Sequence, residues 1–188
     1  ILIMLYRFAF KGISKVFFQN EQNLNFFKDH NIAIGKYKLV PGSGVNLNEY
    51  AFEEYPEDRE EIKVLFIGRI MKEKGIEELT EAAKIIKQER NNVTFDAVGF
   101  YEEDYAAKAK ELKEFNVIKF HGSQENVKEY IKESNVIILP SYHEGMANVL
   151  LEASSMGRPV IASAIPGCHE IFDEGITGFG VKPKDVDS

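Results

Sequence analysis

Short apolar runs alternate with longer amphipathic stretches along most of this chain. Val64-Leu65-Phe66-Ile67, Val93 to Val98, Val117 to Phe120, Val136-Ile137-Ile138-Leu139 and Val160-Ile161-Ala162 are brief and rich in β-branched or aromatic residues, the composition of buried strands. Between them Ile76, Leu79, Ala83 and Ile86 recur at helical spacing, as do Val127, Tyr130 and Ile131. Strands alternating with helices at this spacing predict right-handed βαβ units and a parallel sheet covered on both faces, with Gly178 to Val181 adding a last strand. The expected fold class is α/β, a doubly wound parallel Rossmann-like sheet over residues 63–188.

The first forty residues follow the same grammar but contain too little of it to close a sheet. Residues 1–14 suit a helix, Lys15 to Phe18 a short strand, and Lys38-Leu39-Val40 another. Asn20 is placed to cap a helix running to about His30 and presenting Leu24, Phe26 and Phe27. We expect residues 1–40 to be a fragment of a second Rossmann-like domain, with an apolar face left uncovered. The turn-rich Pro41 to Asn46 and the acidic stretch Asn48 to Glu61, which contains Pro56, read as an interdomain loop and linker over residues 41–62. The chain starts without methionine and stops soon after its last strand, so the expectation is a piece of a longer protein, cut within its C-terminal domain.

One stretch holds the most chemical information. Ile137 to Leu139 reads as a buried strand, Pro140 to Ala147 as a loop, and Val160 to Ala162 as the next strand, which puts the loop at the carboxyl edge of the sheet, where such folds bind ligands. Met146, Val149, Leu150 and Ala153 form one apolar stripe of the intervening helix, and Gly157 stops it. Glu152 falls beside that stripe and Glu144 precedes the helix, so both carboxylates can face one cleft. The N–H groups of Gly145, Met146 and Ala147 are expected to be unpaired between them and to favour an anion. A phosphate at the helix tip, flanked by acceptors for hydroxyl groups, describes a nucleotide sugar.

Composition narrows the alternatives. A net charge of −7 and a pI near 5.2 argue against a nucleic-acid partner. The single cysteine, Cys168, can form neither an internal disulfide nor a cysteine-rich metal site; it reads as a packed residue in a reducing, cytoplasmic setting. Ile1 to Tyr6 is apolar, but Arg7 and Lys11 interrupt before a spanning length, and the order of charges is wrong for a signal peptide. Four scattered histidines show no metal spacing; His121 ends a strand without being assigned as a base, and His30 and His169 look peripheral. Val98-Gly99-Phe100 lacks the full glycine fingerprint of a nicotinamide site. Asp185-Val186-Asp187 has a manganese-binding form, but beyond the last strand a helix cap ranks ahead.

Glu144 and Glu152 stand eight positions apart within Glu-Gly-Met-Ala-Asn-Val-Leu-Leu-Glu-Ala, followed by Gly-Arg-Pro-Val-Ile-Ala. This resembles the Glu-x7-Glu signature of the retaining glycosyltransferases of family 4, the group 1 transferases of GT-B fold. Ile165 to Glu170 and Gly175 to Phe179 match that family in order and spacing. The resemblance implies that Arg69 and Lys74, in Gly68-Arg69-Ile70-Met71-Lys72-Glu73-Lys74-Gly75, hold the donor diphosphate, Glu152 the ribose and Glu144 the sugar. Fixed cations there would offset the charge of a departing nucleoside diphosphate without a metal or other cofactor. The implied catalytic residues are Arg69, Lys74 and Glu144; the implied donor-binding set adds Gly68, Gly99, Gly145, Met146, Ala147 and Glu152, with Gly44, His143 and Asn148 as further candidate contacts. Ala147 stands where the family often has proline, and Pro41-Gly42-Ser43-Gly44-Val45-Asn46 departs from its usual Asn-Gly-Val-Asp.

By resemblance the complete protein moves a sugar, most commonly from a UDP-sugar, to a glycan or lipid-linked acceptor of bacterial surface polysaccharide synthesis. The acceptor would be bound by an N-terminal domain mostly absent here, with peripheral association at the inner face of the membrane. This piece would then bind donor and transfer poorly. Two other classes compete: a non-catalytic nucleotide-sugar-binding regulatory module, and a flavodoxin-like signalling domain using the same sheet edge.

Overall fold

The computed structural model describes residues 1–56 and 60–188; residues 57–59, within the expected linker, lie outside the described residues. The elements are α1 (Leu2–Ala9), β1 (Val16–Phe18), α2 (Glu21–Asp29), β2 (Tyr37–Leu39), β3 (Ile62–Ile67), α3 (Ile76–Glu89), β4 (Val93–Val98), α4 (Ala106–Glu114), β5 (Lys119–Gly122), α5 (Val127–Glu133), β6 (Val136–Leu139), α6 (Asn148–Ser155), β7 (Val160–Ser163) and β8 (Gly178–Val181). Strands β3 to β8 form one parallel sheet in the order β5-β4-β3-β6-β7-β8. The chain works outward from β3 to β5, returns through α5 to β6 on the other side of β3, then works outward again. Right-handed crossovers put α3 and α4 on one face and α5 and α6 on the other. The reversal between β3 and β6 opens a crevice at their carboxyl ends.

The apolar runs predicted as strands supply the core. In β3, Val64, Leu65 and Phe66 are all buried, so both faces of this central strand are covered, and Ile137 and Leu139 of β6 pack beside them. Burying each such side chain stabilises the fold by about 1.5–3 kcal/mol. Helix α3 buries Ile76, Leu79, Thr80 and Ala83 and begins at Gly75, whose φ of 69° is left-handed. A side chain at Gly75 would put its Cβ 2.2 Å from the Pro140 carbonyl oxygen, so the α3 start can approach the end of β6 only as glycine.

Three boundaries differ from the sequence expectation. Helix α1 ends at Ala9 rather than near residue 14, in turns around Gly12. Strand β5 starts at Lys119 because Asn116, at φ 53°, still belongs to the turn after α4, and the ladder with β4 begins only at Asp96 opposite Lys119. Helix α6 starts at Asn148, so Met146 precedes it; the buried stripe is Leu150 and Ala153, flanked by Ala147 and Met156.

The N-terminal unit is built differently. Strands β1 and β2 pair in parallel, and Asn20 caps α2 by accepting from the Asn23 N–H. Phe18, Leu24 and Ile32 are buried, with Phe10 and Phe18 packed edge-on against Phe27, but α1 buries nothing. Among the described residues no helix is long and apolar enough to cross a membrane.

The connector from Tyr50 to Tyr55 lies on the larger domain. Arg158, 2% exposed, donates to the carbonyls of Ile131 and Lys132 at the end of α5, of Met156 after α6, and of Glu53 and Glu54 in the connector, over 2.9–3.2 Å. A buried guanidinium is tolerated when its donors are satisfied, and two helix C-termini favour a cation. Ser155 Oγ donates to Tyr50 O and Tyr55 Oη to Asn135 O.

Candidate functional site

The carboxyl ends of β3 and β6 border a cleft of about 290 Å³. The loop after β3 brings Gly68, Arg69 and Lys74 to it; the loop after β6 brings Glu144, Met146 and Ala147; the first turns of α6 bring Asn148 and Glu152. Most of the residues singled out in the sequence therefore meet in one place. Larger hollows of about 560 and 530 Å³ lie on a flank of the sheet, where Lys63 and Lys119 stand near the strand starts, and beside the 170–177 turn; neither lies between the carboxyl ends of β3 and β6.

Lys74 Nζ lies 2.5 Å from Glu144 Oε1, and both side chains are largely buried. The pair ties the 72–74 turn to the loop after β6, a tie repeated by Tyr142 N–H to Glu73 O at 2.8 Å and Tyr142 Oη to Glu78 Oε1 at 2.6 Å. Burial, and then the carboxylate it bonds, hold the Tyr142 phenol protonated well above its ordinary range. Arg69 instead reaches Glu102 Oε1 at 2.7 Å, with both ends about half exposed. An exposed pair of this kind is worth about 1 kcal/mol or less, so the guanidinium can exchange partners at little cost. Glu152 lies beyond them, and its carboxyl is raised from its ordinary value by burial and then by Glu49.

The 144–147 loop is gripped from behind. The turn at Gly167 packs so closely that a side chain there would meet the Gly145 and Glu144 carbonyl oxygens at 2.6 and 2.9 Å, and Glu170 holds the turn by accepting from the Gly167 N–H. Gly167 O accepts from the Ala147 N–H at 2.8 Å. This corrects one expectation: the Ala147 amide is committed to the fold and is not a free donor. The N–H groups of Gly145 and Met146 have no acceptor among the described residues. Cys168 sits buried behind the loop as a packed residue, its thiol pushed up to about 12 by burial and by Glu144.

The remaining candidates take other places. Gly99 does not line the cleft; it supports the loop after β3, where a side chain would strike the Gly68 carbonyl oxygen. Gly145 backs the cleft through its peptide rather than lining it. Gly44 and His143 are exposed outside it, while Asn148 lines it and accepts from Ser43 Oγ at 3.2 Å. His121 faces Asp96 at 2.5 Å on the sheet flank, remote from Glu144. Asp185 closes a turn by accepting from the Asp187 N–H and opens no helix. Asn20 and Gly167 were not singled out as site residues. Asn20 looks like a helix cap, and Gly167 like an ordinary turn glycine, because their partners are remote in sequence.

The family model described as glycosyl transferases group 1 matches residues 48–188. A curated relative from Campylobacter jejuni, N,N'-diacetylbacillosaminyl-diphospho-undecaprenol alpha-1,3-N-acetylgalactosaminyltransferase, is 27% identical across 97% of this chain and 50% of its own length. The capsular polysaccharide biosynthesis glycosyltransferase CapM of Staphylococcus aureus is 31% identical across 64% of this chain and 32% of its own. Among solved structures, Anabaena Alr3699/HepE in complex with UDP and glucose superposes with a TM-score of 0.82, at 20% identity, over 96% of this chain and 53% of that one, a likeness of GT-B fold. The chain thus spans half or less of the length of the curated relatives it matches.

Proposed function

The chain belongs to the glycosyl transferases group 1 family, and from that premise we propose that the whole protein is a retaining, family 4 glycosyltransferase. It moves a sugar from a nucleotide diphosphate sugar, a UDP-sugar by preference, to a glycan or lipid-linked acceptor in surface polysaccharide synthesis. The support for the last step is the company it keeps: relatives named for undecaprenol-linked and capsular products. Its reaction would take place in the cytoplasm at the inner face of the membrane.

One observation supports the donor site above the rest: two cations, two carboxylates and the Met146 amide, which has no acceptor among the described residues, border a single cleft at the switch point of a parallel sheet. In this reading Arg69 leaves Glu102 to meet the diphosphate. Lys74 keeps one hydrogen on Glu144 and turns the others to phosphate oxygen, as an ammonium with three donors can. Departure of the nucleoside diphosphate builds negative charge, and these cations stabilise it most at the transition state, with no metal required. Glu152 accepts from ribose hydroxyls, and Glu144 from the sugar. Residues 1–188 bind donor and leave acceptor binding to the rest of the protein.

Ligand-observed NMR on this chain with UDP, GDP and ADP tests the reading. UDP is expected to bind, and Arg69→Ala or Glu152→Ala to weaken it about tenfold or more. A folded chain that binds none of the three nucleotides, or variants that bind as wild type does, would overturn the assignment.

A further inference from the structure

Gln19 and Asn20 follow β1 at the carboxyl edge of the small parallel pair, facing the larger domain. Asn20 is 4% exposed, and its carboxamide is used at both ends. Oδ1 accepts from the Asn23 N–H at 2.9 Å, capping α2; Nδ2 donates to Glu144 O at 3.1 Å and Gly145 O at 3.0 Å. A cap alone needs only an acceptor, for which aspartate or serine serves as well. A carboxamide adds two donors, and both are spent on the loop that bears Glu144.

Peptide geometry converts this contact into direction. The Glu144 carbonyl shares a plane with the Gly145 N–H, and the Gly145 carbonyl with the Met146 N–H; in each trans unit the two bonds point oppositely. Turning both carbonyls toward Asn20 therefore aims both N–H groups away from it, and those are the two amides without an acceptor among the described residues. Adjacent N–H groups aimed together make a donor pair suited to an oxygen of a sugar or phosphate. The loop is also confined on the same side by Gln19, since a Cβ at Gly145 would lie 2.6 Å from Gln19 Oε1.

We propose that Asn20, although it belongs to the N-terminal unit, is a positioning residue for the sugar end of the donor site, because it fixes the orientation of the Glu144–Gly145–Met146 peptides across the boundary between the two units. This rests on the donor-site reading above. It makes binding of the sugar portion, but not of the nucleotide, depend on the N-terminal unit.

Asn20→Asp and Asn20→Ser test it on this chain, since both keep an acceptor for α2 and remove the donors to the loop. Titrations with UDP, UDP-glucose and UDP-N-acetylglucosamine are read together with amide resonances of the protein. UDP affinity is expected to stay within about twofold of wild type, while the affinity for the better-bound UDP-sugar falls about tenfold, the scale of one or two hydrogen bonds. The Gly145 and Met146 resonances should move while the Asn23 amide stays protected. Unmoved Gly145 and Met146 resonances, or a UDP-sugar affinity unchanged in both variants, would overturn the proposal. Should wild type bind no UDP at all, the donor-site reading falls, and the Gly145 and Met146 resonances still decide whether Asn20 orients the loop.

Discussion

In the larger domain the central strand is buried on both faces, from Val64 through Phe66, whereas in the N-terminal unit Phe17 of β1 and Leu39 of β2 stand open to solvent. Both regions use parallel strands joined through a helix, and both have apolar residues at the expected period. They differ in how many layers cover the sheet. The larger domain has helices on two faces and one continuous core; the N-terminal unit has an α2 that buries only Leu24, an aromatic cluster around Phe27, and an α1 with no buried residue. Pattern specifies which face of an element is apolar, but burial needs a partner layer. The small unit is joined to the larger one through Asn20 on the 144–145 peptides, and the loop after it through Ser43 on Asn148.

Matched truncations sharpen that contrast. Ile137→Ala, at a fully buried site of β6, is expected to cost about 3 kcal/mol in urea unfolding of the larger domain, because the close-packed layers on either side relax only partly around the cavity. A smaller effect is expected at Glu152, with a pH signature. Its carboxyl is raised by burial and Glu49, so the folded state holds the proton more tightly than the unfolded one, and ionised Glu152 costs stability above its raised pKa. Glu152→Gln should therefore be slightly more stable than wild type at neutral pH. The gain should fade as pH falls through the raised value and vanish below the ordinary glutamate range; denaturation midpoints measured across that range check the sign. The smallest effect is expected at Phe8, 80% exposed on α1, where Phe8→Ser should change stability by less than about 0.5 kcal/mol. A loss at Phe8 as large as that at Ile137 would break the comparison, since it would mean α1 is covered in solution.

The strands and helices were legible because period and length are local properties. The cleft was legible for a related reason: in a parallel sheet every loop that follows a strand reaches the same edge, so Arg69, Lys74 and Glu144 converge whatever the details. What escaped was pairing between remote segments. The Ala147 amide looked free because its acceptor, Gly167, lies beyond a whole strand, and Met146 was placed in a helix that starts two residues later. Strand β5 slipped by two residues because its ends depend on what β4 offers as partner, not on its own apolar run. Asn20 was legible as a cap, which uses its oxygen, while the nitrogen that reaches the Glu144 loop has no local signature.

Arg158 has a mechanical consequence. By gripping Glu53 and Glu54 together with the ends of α5 and α6, it makes the connector part of the larger body, and Tyr50 and Tyr55 are fastened to the same body on either side. The span that links the two units outside this grip is therefore short and runs through Gly42 and Gly44, both left-handed at φ 77° and 73°. That span abuts the cleft itself, since a Cβ at Gly42 would lie 2.6 Å from Cγ of Met146, which lines it, so the link between the units and the mouth of the donor site share one wall.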